Sequence, residues 1–224
     1  MNKQRLVAFL KDNKYKIIIV VFLLIGFFSR LTLIDVQPNA LNVDEASSGY
    51  EAWSILNYGI DRNGIRLPVF LIAWGSGQNA LYSYIMMPFV KMLGLNTFSV
   101  RIPMAVIGCI SLIIFYFLLK EIKDEKTAII GVAFFVICPW HIMKSRWGLE
   151  SNIFPDMVLW AVYLIVISLK KDKMKLFYAS AIILRIDCIC IWHILFLLTM
   201  LCYSITDNII KKEKNIMEKC INIF

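Results

Sequence analysis

Two groups of ionisable residues have the types and spacing to do chemistry, and each lies beside an apolar run. The first is the acidic pair Asp44-Glu45. A carboxylate within hydrogen-bond reach of a hydroxyl group can take its proton and raise its nucleophilicity. The second group is Lys144, Arg146 and Glu150. A cationic pair can hold a phosphate leaving group, and Arg does so through two parallel hydrogen bonds. Arg62, Arg66 and Arg101 are further candidates for such a phosphate site.

Each group also has a plainer use. Acids in a helix's first turn complement its dipole, and Glu45 follows Asn42 by three residues, the spacing of a capping box. Lys144 and Arg146 flank Trp140 and Trp147 and can anchor at lipid headgroups, as can Arg62, Arg66 and Arg101. His141, next to Pro139-Trp140, reads more simply as an interfacial residue than as a base. Neither cluster alone specifies an enzyme.

The elements that position these residues follow from composition. Hydrophobic residues make up 59% of the 224 and charged ones 18%, with a mean hydropathy of +0.69. That is an integral membrane protein, not a soluble domain. A bilayer core about 30 Å thick needs roughly 20 apolar helical residues per crossing. Runs at residues 17–28, 102–119, 127–140 and 153–169 supply four clear spans. The fold class is an all-α polytopic transmembrane helix bundle, with a doubtful fifth span and short surface helices in a large first extracytoplasmic loop, residues 35–99.

Charge sets the orientation. Lys3, Arg5, Lys11, Lys14 and Lys16 precede the first run, and Phe27-Phe28-Ser29-Arg30 lacks a small-residue cleavage pattern. An uncleaved first span with a cytoplasmic N-terminus follows. Lys120, Lys123 and Lys126, and later Lys170, Lys171, Lys173 and Lys175, mark inner loops. Asp44 and the stretch 141–152 therefore share the outer face. Within the first loop, Asn42 and Gly59 bound a surface helix with Ala46, Tyr50, Trp53 and Leu56 on one side. Residues 80–93, interrupted by Pro88 and Lys91, are too short for a span and read as an interfacial or re-entrant helix.

The C-terminal end breaks the pattern. The apolar stretch 176–205 contains Arg185 and Asp187, and Lys211, Lys212, Lys214 and Lys219 follow it. A single crossing would put four lysines outside. Either the stretch is a hairpin, or residues after about Leu184 are not the native continuation, which the clustering of cysteines there favours. Residues 1–205 are read as one transmembrane domain and 206–224 as a basic tail.

Several classes are excluded. The net charge of +8 sits in short clusters beside apolar runs and marks topology, so no nucleic-acid partner is assigned. No phosphate-binding Gly-rich loop, Gly-x-Ser-x-Gly elbow or His-Glu-x-x-His is present. Cys188-x-Cys190 with His193 lacks a fourth ligand at usual spacing, so no zinc site is assigned.

The order of these features resembles the membrane glycosyltransferases of the GT-C fold, in particular the protein O-mannosyltransferase and aminoarabinose-transferase-like superfamily (glycosyltransferase family 39-like). The similarity runs over roughly residues 15–184. Val43-Asp44-Glu45-Ala46 through Trp53 is similar to that family's acidic pair and surface helix, and Gly64-Ile65-Arg66-Leu67-Pro68 to its Gly-Leu-Pro stretch. Ala80-Leu81-Tyr82-Ser83-Tyr84 is similar to its surface helix, and the stretch from Gly94 to Pro103 to its Gly-Asn-x-x-x-x-Arg-x-Pro signature, with one extra residue. Pro139, Ser145-Arg146 and Glu150 complete the series.

The resemblance implies an inverting hexosyl- or pentosyltransferase in a bacterial plasma membrane, its site on the outer face and a polyprenyl-phosphate sugar as donor. It implies Asp44 as catalytic base beside Glu45, Glu150 as second acid and Arg146 as phosphate ligand, with the acceptor unspecified. Some relatives of this fold use a divalent metal and others do not, so no cofactor is assigned. Two departures stand out. Gln78-Asn79-Ala80 replaces the Lys-Pro-Pro of the aminoarabinose branch, and the chain has fewer spans than the family, so it is expected to be a truncated N-terminal part, with activity or inactivity of this short chain left open. The alternative is a non-catalytic membrane protein, a transporter-like fragment or an assembly subunit, whose charges set topology alone. Transporters place ionisable groups near mid-membrane, whereas here they gather at the ends of spans.

Overall fold

The structure is a computed structural model that describes residues 13–73 and 76–188. The basic residues Lys3, Arg5 and Lys11, the end of the doubtful fifth span, Cys190, His193 and the basic tail lie outside the described residues. The described residues up to Leu184 form one compact unit.

The described elements are α1 (Lys14–Leu31), α2 (Val43–Tyr58), β1 (Phe70–Ala73), β2 (Ser76–Asn79), α3 (Leu81–Leu93), α4 (Thr97–Ile122), α5 (Glu125–Ile137), α6 (Pro139–Arg146), α7 (Glu150–Lys171) and α8 (Met174–Cys188). The expected all-α membrane bundle is borne out. By length and composition α4 and α7 can each cross a bilayer. At 1.5 Å per residue, the 26 residues of α4 reach about 39 Å. α1 is apolar from Ile17 to Ser29 but carries Lys14, Lys16 and Arg30, and Arg30 is fully buried in the bundle.

The expected third span is not a straight helix. It consists of α5 and α6, bent by 60° at Cys138. Pro139 has no N–H to give to Phe135 O four residues back, which breaks the helix there. The carbonyl so freed accepts instead from Arg30 Nη2 at 3.3 Å, because a buried carbonyl must find a donor.

The loop between α1 and α4 follows the sequence at its caps. Asn42 accepts from Asp44 N at 3.2 Å and Glu45 Oε2 accepts from Asn42 N at 3.0 Å, closing the capping box. Gly59 ends α2 at φ +69°, a conformation that favours glycine. The helix is oriented by its polar side. Glu45, Ser48, Glu51 and Ala52 are buried, while Ala46 and Tyr50 stay exposed. α3 covers that buried side, with Ser83 Oγ donating to Ser48 O, and is tied to α4 by Tyr82 Oη donating to Val100 O.

Between α2 and α3 lies a hairpin that the sequence did not announce. β1 and β2 pair antiparallel with Leu71 opposite Gln78 and Ile72 opposite Gly77. Residues directly opposite share a face. Leu71 is buried in a small cluster with Ile55 of α2 and Ala80, so the same face carries Gln78 to α2. Asn79 Oδ1 then receives Leu81 N at 2.7 Å and starts α3.

Candidate functional site

Arg101 stands in the first turns of α4 and Glu45 in the first turn of α2, and both are fully buried. Arg101 Nε and Nη2 reach the two Glu45 oxygens at 2.9 Å each. Nη1 donates to Ile34 O and Pro38 O at 3.2 and 2.7 Å, and Nη2 also to Ala40 O at 2.6 Å. A guanidinium has five N–H donors, and here all five are engaged. Glu45 further accepts from Gly148 N at 2.8 Å, which joins α2 to the turn before α7.

Arg146 acts in the same way on the end of α1. It donates to Ser29 O, Thr32 O, Leu33 O and Gln37 O, at 2.7 to 3.3 Å. The last carbonyls of a helix lack intrahelical donors, and a cation at that end is favoured by the helix dipole. Arg146 and Arg101 together hold the chain between α1 and α2. Neither guanidinium is turned outward in the way expected of a phosphate ligand.

Asp44 differs from its neighbour Glu45. It is half-buried, and its Oδ1 receives Gln78 Nε2 at 3.3 Å. Gln78 Oε1 faces Ser47 Oγ at 3.5 Å. Ser47 Oγ in turn receives Arg62 Nη2, while Arg62 Nε pairs with the fully buried Glu51. Arg62 N also donates to Glu51 Oε2 at 3.0 Å. The Arg62 side chain is 30% exposed, and among the described residues none takes a hydrogen from its Nη1. Arg66 is exposed a few residues on.

Glu150 opens α7 and is half-buried, with Oε2 buried and without a hydrogen-bond partner among the described residues. The Gly148–Glu45 bond docks the turn before α7 against the first turn of α2, the elements that carry Glu150 and Asp44. Gln78 and Arg62 join the Asp44 side through Ser47. A carboxylate with one oxygen free can accept a proton, and a cation with spare N–H groups can receive a phosphate.

Lys144 lies elsewhere, inside the bundle. It is 3% exposed, ion-paired with Asp156 of α7, and its Nζ sits 5.7 Å from the Trp140 ring centre. His141 Nε2 is 3.4 Å from Asp156, and its Nδ1 faces Arg30 Nη2 at 2.8 Å. Sequence reading missed Arg30 and Asp156, and it took His141 as an interfacial residue although it is 1% exposed. The available signal was spacing. Arg30 and Asp156 each fall within one turn of an end of an apolar run, where an ionisable group is costly unless paired.

Compared with models of known protein families, residues 78–218 match the one described as dolichyl-phosphate-mannose-protein mannosyltransferase. This is more than half of the 224 residues. No curated protein and no solved structure matches the chain. The matched segment contains Gln78, Arg101, Lys144, Arg146 and Glu150, and it runs past Leu184, where the sequence reading placed a discontinuity. Asp44, Glu45 and Arg62 precede it and meet it through the contacts of Gln78, Arg101 and Gly148.

Proposed function

The chain belongs to the dolichyl-phosphate-mannose-protein mannosyltransferase family of membrane glycosyltransferases, and from that premise we propose that it carries a site for moving a sugar from a polyprenyl-phosphate donor to an acceptor hydroxyl at the extracytoplasmic face. The observation that carries this reading is the division of the acidic pair. Glu45 is closed in by Arg101, Gly148 and Asn42, whereas Asp44 Oδ2 has no hydrogen bond among the described residues.

In this reading Asp44 removes the acceptor's proton as its oxygen attacks the anomeric carbon. The bond from that carbon to the phosphate oxygen breaks, the configuration inverts, and the electron pair leaves with the polyprenyl phosphate. Arg62, through Nη1, and the exposed Arg66 meet the charge that grows on the phosphate, the stage at which such contacts accelerate the step. Glu150, whose Oε2 has no hydrogen-bond partner among the described residues, serves as the second acid and orients the acceptor. Arg101, Arg146 and Glu45 serve the site by holding its loop and not by touching the donor. The N-terminus is cytoplasmic in the same proposal, which puts Asp44 outside.

The test is transfer of a labelled sugar from polyprenyl-phosphate mannose by the chain in lipid nanodiscs. Asp44→Asn is expected to lower kcat by about 10²-fold or more, with the protein still folded. Undiminished transfer by Asp44→Asn would remove Asp44 as the base, and absence of transfer by the wild type would overturn the assignment of activity to this chain.

A further inference from the structure

Gln78 stands where the aminoarabinose branch of similar enzymes has a lysine, and its surroundings give the substitution a meaning. The chain of contacts runs from Glu51 through Arg62, Ser47 and Gln78 to Asp44. Its first link is fixed, because Glu51 is fully buried and held by both the side chain and the backbone N of Arg62.

A guanidinium can only donate. Ser47 Oγ therefore accepts from Arg62 Nη2 and has its own hydrogen to give, and Gln78 Oε1 lies at 3.5 Å to receive it. The oxygen end of the Gln78 amide is thereby committed to Ser47, and the NH2 end faces Asp44 Oδ1 at 3.3 Å. The reversed amide would set its oxygen against the carboxylate, acceptor against acceptor. Gln78 is 7% exposed, so little water competes for these groups. The hairpin register fixes the backbone beneath it, since Leu71 opposite is buried on the same face.

We propose that Gln78 is a positioning residue for Asp44, its amide oriented by one-way hydrogen bonds that begin at the Glu51–Arg62 pair. The relay holds Oδ1 of Asp44 and turns Oδ2 toward the acceptor. It also ties the cation proposed for the donor phosphate to the base through two intervening side chains. This rests on the reading of Asp44 as the base.

Gln4, Gln37 and Gln78 are the three glutamines of the chain, so selective ¹⁵N labelling of glutamine gives three side-chain amide signals from the full protein in nanodiscs. The signal lost in Gln78→Met identifies Gln78. Asp44→Asn and Ser47→Ala are each expected to move that signal and to leave the other two in place. In the transfer assay Gln78→Glu keeps the size and the acceptor for Ser47 but cannot donate to Asp44. It is expected to lose about tenfold in kcat with donor KM unchanged, the effect of misplaced geometry. Gln78→Glu at wild-type kcat, or a Gln78 signal unmoved by Asp44→Asn, overturns the relay even where Asp44→Asn abolishes transfer. Full transfer by Asp44→Asn overturns instead the base on which the relay's purpose depends.

Discussion

Replacing Arg101 by Met tests whether this arginine supports the loop or binds the donor. The substitution removes both bonds to Glu45 and the donors to Ile34 O, Pro38 O and Ala40 O. Glu45 keeps two neutral donors, Asn42 N and Gly148 N, around a carboxylate that has no solvent exposure. Removing one partner of a buried ion pair costs about 3–5 kcal/mol, because the other charge is left uncompensated. The three carbonyls add less than their full penalty, as residues 35–37 and 39–40 around them are exposed and water can reach the loop once it opens. A loss of about 4 kcal/mol is expected, read by SDS titration in mixed micelles with circular dichroism. Arg101→Lys keeps the charge but has three hydrogens in place of a five-donor fork, and it should lose about 2 kcal/mol. Adding Glu45→Gln to Arg101→Met should recover part of the loss, by about 2 kcal/mol, since the two residues act as a unit. A variant Arg101→Met within about 1 kcal/mol of wild type but with a raised donor KM would refute the reasoning and make Arg101 a phosphate ligand.

Other outcomes follow from the same contacts. Lys144→Met leaves Asp156 buried at 1% exposure without its ammonium partner, the His141 ring 3.4 Å away being no substitute for that charge, and should cost about 3 kcal/mol in the same unfolding assay. Gly108→Ala sets a Cβ against Ser145 Oγ, which itself donates to His141 O, so α4 and α6 must part at a cost of about 1–3 kcal/mol. Gly59→Ala, at φ +69° with open space around it, should cost about 1 kcal/mol of stability through backbone strain alone and leave transfer unchanged. Arg62→Gln is expected to raise donor KM more than Arg66→Gln does, since only Arg62 is also bonded to Ser47 in the relay.

The caps, the surface helix and the main apolar runs were legible because they depend on neighbours in sequence. Asn42 and Glu45 are three residues apart, and Gly59 follows the last turn it ends. The bend at Cys138 was not read, because the run 127–140 reads as one span although it contains Pro139. Nor could the sequence tell that Phe135 O would find a donor on α1, 105 residues away. The hairpin was missed because four-residue strands with a glycine give too short an alternation to separate from loop. What could not be read at all was the partner of each charge. Arg101 meets Glu45 across 56 positions and Arg146 meets Ser29 across 117, and no local pattern encodes such distances.

That limit explains how the candidate cations sort themselves. In the sequence, Arg62, Arg66, Arg101, Lys144 and Arg146 are equal claimants on a phosphate, since each carries one positive charge near the end of an apolar run or in the loop 35–99. Charge does not divide them, but hydrogen-bond capacity does. Arg101 has given all five N–H groups to carbonyls and Glu45, Arg146 has spent most of its own on the end of α1, and Lys144 is enclosed with Asp156. Binding a phosphate at any of these three would first strip buried carbonyls or a buried carboxylate of their donors, a loss that a new phosphate contact must exceed before it gains anything. Arg62 and Arg66 meet no such penalty, and Arg62 is linked through Ser47 and Gln78 to the one member of the acidic pair that remains open. The stationary arginines and the available ones therefore do different work on the same loop, the first fixing where Asp44 stands and the second fixing what can be brought to it.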